Sequence, residues 1–140
     1  MKTSFIPVLF AILVMAGCKN DSLTGPEPNF LQYDAPLSVS GNGVGSLTVS
    51  LIALKDTRCP QNVICIQPGW VELSLRVRNQ TDSAKVETVF HANPERDKAK
   101  VFELGASKYQ LTVNTVLPLP VEGKKLNINE YSIGLNISQL

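Results

Sequence analysis

Three cysteines, one histidine, one tryptophan and a scatter of carboxylates are the residues of this 140-residue sequence whose types could do chemistry. Two of the cysteines, Cys59 and Cys65, lie in the segment Asp56-Thr57-Arg58-Cys59-Pro60-Gln61-Asn62-Val63-Ile64-Cys65-Ile66-Gln67-Pro68-Gly69-Trp70. Redox catalysis sets two thiols two residues apart, with one thiolate stabilised at a helix start. Five residues separate this pair and no helical pattern surrounds it, so the spacing points elsewhere. A zinc site needs four ligands, and beyond the pair the chain offers only His91 and dispersed carboxylates. The remaining reading is a structural disulfide in an oxidising compartment. Closing so short a loop stabilises a fold by roughly 2.5 kcal/mol in the chain-entropy account. No metal or other cofactor is expected.

Two neighbours of the pair are candidate contacts. Arg58, if displayed on a stiffened loop, suits the pocket of a trypsin-like protease. Trp70 either stacks on a sugar or enters a partner's pocket, or else closes the open end of a core. Elsewhere nothing resembles a nucleophile setting, and one histidine is a poor basis for a Ser-His-Asp arrangement. His91 reads as an exposed strand end, and Glu72, Glu87 and Glu103 alternate outward in strands. The stretch Gly41-Asn42-Gly43-Val44-Gly45 runs between strands rather than into a helix, so it makes a turn and not a phosphate cradle.

The third cysteine has a different context. Lys2, an apolar run from Phe5 to Met15 and the small pair Ala16-Gly17 form a secretory leader over residues 1–17. The run is about eleven residues, well short of the roughly twenty that span a bilayer. Leu13-Val14-Met15-Ala16-Gly17-Cys18 resembles the bacterial lipobox. That resemblance implies cleavage before Cys18, diacylglycerol on its sulfur and a protein held on a membrane of the cell envelope, with the outer membrane as the expected site. Residues 18–36, broken by Gly25, Pro26 and Pro28, read as the lipidated N-terminus and a flexible tether. Without Lys2 the 13 basic residues fall to 12 and balance the 12 acidic ones. A neutral body gains no long-range attraction to a phosphate backbone, which argues against nucleic-acid binding.

The elements that must position these residues announce themselves by period-two alternation over residues 37–140. Val71, Leu73, Leu75 and Val77 alternate with Glu72, Ser74, Arg76 and Arg78. Leu47, Val49 and Leu51 do the same, as do Tyr109, Leu111 and Val113, and finally Tyr131, Ile133, Leu135 and Ile137. Seven or eight short strands with frequent turns predict an all-β fold, an antiparallel β-sandwich of immunoglobulin-like type. A small β-barrel is the alternative that periodicity leaves open.

Arg58-Cys59-Pro60, Cys65 and Gly69, followed by an alternating strand, resemble a segment of small, largely uncharacterised bacterial envelope lipoproteins. The similarity continues through Tyr109-Gln110-Leu111, Leu117-Pro118-Leu119-Pro120 and Tyr131-Ser132-Ile133-Gly134-Leu135. Thr57, Gln67 and Pro68 depart from that group's usual residues, and Trp70 falls just after the glycine. The resemblance implies a lipoprotein and carries no activity with it. The expectation is therefore a non-enzymatic, membrane-anchored module that binds an envelope protein or glycan or serves structurally. A protease inhibitor presenting the Cys59–Cys65 loop is the alternative, and a hydrolase the third.

Overall fold

Alternating apolar residues have one low-energy arrangement in water, a pleated strand with one face covered. The computed structural model describes residues 30–41 and 43–140 and realises that arrangement eight times. The strands are β1 (Phe30–Leu31), β2 (Leu37–Ser40), β3 (Ser46–Asp56), β4 (Val71–Arg78), β5 (Ser83–Phe90), β6 (Lys100–Leu104), β7 (Ser107–Leu117) and β8 (Ser132–Gln139), with a single 3-10 turn at Ile128–Glu130 before β8. Every pairing is antiparallel, and the order is β1-β8-β7-β6 in one sheet and β2-β3-β4-β5 in the other. The sheets do not close into a barrel; they form a β-sandwich in which β2–β5 make a meander and β1 lies beside β8 at the edge of the β6–β8 meander. Cys18, the leader and most of the tether lie outside the described residues.

The core lies between the inner faces. Val71, Leu75 and Val77 of β4 and Ile133 of β8 are wholly inaccessible to water, and Leu111 and Ile137 nearly so. Fully burying one such side chain contributes about 1.5–3 kcal/mol. The body begins earlier than the sequence pattern suggests. Phe30 and Leu31, expected in the tether, pair with Gly134 and Ile133 of β8, and Leu31 is completely buried. Two residues are too few to show alternation, so the strand is visible only through its partner.

Two bulges decide what faces inward at one end of the sandwich. In β3 the register shifts between Leu51 and Ala53, and in β7 between Val113 and Thr115. One extra residue inverts the alternation beyond it. Leu47, Val49 and Leu51 point into the core before the first bulge. Beyond it, Leu54 and Asp56 pair with the buried Leu73 and Val71 and so turn inward in their place. In β7 the inward set passes in the same way from Tyr109, Leu111 and Val113 to Val116.

Candidate functional site

The β3–β4 ladder continues past the end of both strands. The Thr57 N–H donates to the Trp70 carbonyl at 2.9 Å, and the Cys59 N–H to the Pro68 carbonyl at 2.9 Å. The Thr57 hydroxyl reinforces the first rung, donating to the same Trp70 carbonyl at 2.8 Å. Gly69 makes this approach feasible. Its φ is +71°, and a Cβ built there would lie 2.0 Å from the Thr57 carbonyl oxygen. At the tip the Cys59–Cys65 disulfide closes the turn, with the two Cα atoms 5.9 Å apart. The Gln61 N–H donates to the Pro120 carbonyl at 3.0 Å, which ties the tip to the segment after β7.

Beneath the loop lies a polar cluster made by the β3 bulge. Arg58, expected as a displayed contact, is instead buried: its side chain and that of Asp56 are 5 % and 6 % exposed. Its Nε donates to both Asp56 oxygens at 2.9 and 3.1 Å, and Nη2 reaches Oδ2 at 2.6 Å. The rest of the guanidinium donates to the carbonyls of Val116 at 2.7 Å and Pro118 at 2.9 Å. Asp56 also accepts the Arg58 N–H at 2.9 Å and the Tyr131 hydroxyl at 3.2 Å. A buried charge is tolerated only when paired and fully hydrogen-bonded, and this one is both. The pair thereby joins β3, the end of β7 and the start of β8. Burial, and then the negative charge of Asp56, push the Tyr131 hydroxyl up to about 12. The polar atoms of Asp56, Arg58 and Tyr131 are thus committed to one another and to the Val116 and Pro118 carbonyls. Arg58, Cys59, Cys65 and Gly69 are thus residues that build the loop.

What the loop presents is a different set. Ile64 and Ile66, which the sequence did not single out, are 101 % and 104 % exposed. Val63 beside them and Leu119 and Val121 on the tethered segment add further exposed apolar surface. The available signal was the run Val63-Ile64-Cys65-Ile66, three aliphatic residues in a loop where alternation gives them no buried face. Trp70 stands on the outer face at the head of β4 and does not close the core. Its Nε1–H donates to Glu72 at 3.0 Å, and its ring centroid is 6.4 Å from that of His91. His91 is only a quarter exposed, and its Nδ1 lies 3.2 Å from Asp97. Among the described residues no three of His, Cys, Asp and Glu converge as metal ligands would. Compared with protein-family models, curated proteins and solved structures, the chain matches none.

Proposed function

We propose that this chain is a lipid-anchored protein of a bacterial envelope, a non-enzymatic module that binds through the disulfide-held end of its sandwich. The observation that carries the reading is the full exposure of Ile64 and Ile66 on a loop braced by two backbone rungs, a disulfide and a buried ion pair. Aliphatic tips on a rigid loop lose little conformational entropy when a partner covers them, and each is worth about 1.5–3 kcal/mol once buried. The anchor rests on the lipobox-like Leu13–Cys18 segment of the sequence. A trypsin-type inhibitor acting through Arg58 is not favoured, because that side chain is occupied beneath the loop.

Two measurements on cells expressing the protein test this. Radiolabelled palmitate enters the parent chain and fails to enter Cys18→Ser, which leaves the membrane fraction. A photoreactive residue at position 64 gives a discrete adduct that one at Gln80, at the opposite end, does not. Labelling independent of Cys18 removes the anchor, and identical products from both positions remove the binding end.

A further inference from the structure

On the flank of the same loop a cleft of about 350 Å³ runs between Ile66–Trp70 and Arg96. Both walls are held before any ligand arrives. The Trp70 side is fixed by the rungs to Thr57 and Cys59, and its indole by the bond to Glu72. Opposite it, the Asp97 carboxylate accepts the N–H groups of His91 and Asn93, and the Arg96 N–H donates to the Asn93 carbonyl at 3.0 Å. The Arg96 guanidinium itself makes no ion pair or hydrogen bond with the described residues, so its fork of donors is free. Trp70, still 38 % exposed, lines one groove together with Gln67 and Arg96.

We propose that the groove is a binding site for a saccharide carrying a uronic acid. The chemistry of each wall selects one part of such a ring. A pyranose has an apolar face that packs on an indole while its other face keeps its water. A carboxylate on the ring matches the guanidinium fork in a charge-assisted, bidentate pair. Gln67 supplies both a donor and an acceptor for ring hydroxyls. An uncharged aromatic ligand would want an apolar lining instead, and this one is largely polar. The site adds a ligand class to the binding end proposed above and stands whether or not Ile64 and Ile66 meet a partner.

Trp70 is the sole tryptophan of the chain, so its emission reports on the groove directly. The experiment is a fluorescence titration of the Cys18→Ser protein with oligogalacturonate, with neutral N-acetylglucosamine oligomers in parallel. The expected result is a saturable change with the acidic oligomer and none with the neutral one. Arg96→Gln weakens binding at least about tenfold, the loss expected for a charge-assisted contact, with an unchanged melting temperature. Ile64→Ser leaves the affinity as it was, which separates this site from the loop tip. A flat titration, an equal response to the neutral oligomer, or undiminished binding by Arg96→Gln each overturns the proposal.

Discussion

Asp56, Arg58 and Tyr131 show how much a single side chain's surroundings can decide. Arg58→Ala would leave the Asp56 carboxylate buried with only the Tyr131 hydroxyl and a backbone N–H for company. Breaking a buried pair in this way costs about 3–5 kcal/mol, to be read as a lowered urea midpoint. Tyr131 gives a pH signature. Its ordinary value is 10, and the fold raises it to about 12. As pH climbs through 10 the unfolded chain releases this proton while the folded chain keeps it. The contribution is therefore complete below pH 10 and is lost between 10 and 12, at no more than about 1.4 kcal/mol per pH unit. Thermal melts stepped from about pH 9 to about pH 11.5 would show the decline, and Tyr131→Phe should flatten it. None of this was legible in the sequence, where Asp56 read as the first residue of a loop and Arg58 as a surface contact.

At the scale of elements, the loop between β3 and β4 is an extension of their ladder, and Gly69 is its least replaceable member. Gly69→Ala would set a side chain both in a left-handed backbone conformation and against the Thr57 carbonyl. The expected loss is about 2 kcal/mol or more, since the strain and the clash add. Hydrogen exchange at Thr57 and Cys59 should speed up before that of the core strands. β4 and β8 could be read from residue types because their alternation is unbroken from end to end. The 57–70 pairing could not, because Pro60 and Pro68 mark a loop to the eye, although Pro68 needs only its carbonyl to complete a rung.

Across the whole molecule, stability and presentation sit in separate residues, and three substitutions should show it. Leu75→Ala removes a side chain with no exposed surface and should cost about 2–5 kcal/mol. Ile64→Ser and Ile66→Ser change side chains that touch little, and should alter stability by about 0.5 kcal/mol or less. Chemical denaturation of the three variants alongside the parent checks both outcomes. Residue types alone determined the all-strand class, the inward faces of β4 and β8 and the disulfide pair, because strand alternation and cysteine pairing are local. Which sheet each strand joins, the burial of Leu31 and the inward turn of Asp56 were decided only in three dimensions. A bulge inverts every alternation beyond it, and its position is set by the packing of one sheet on the other.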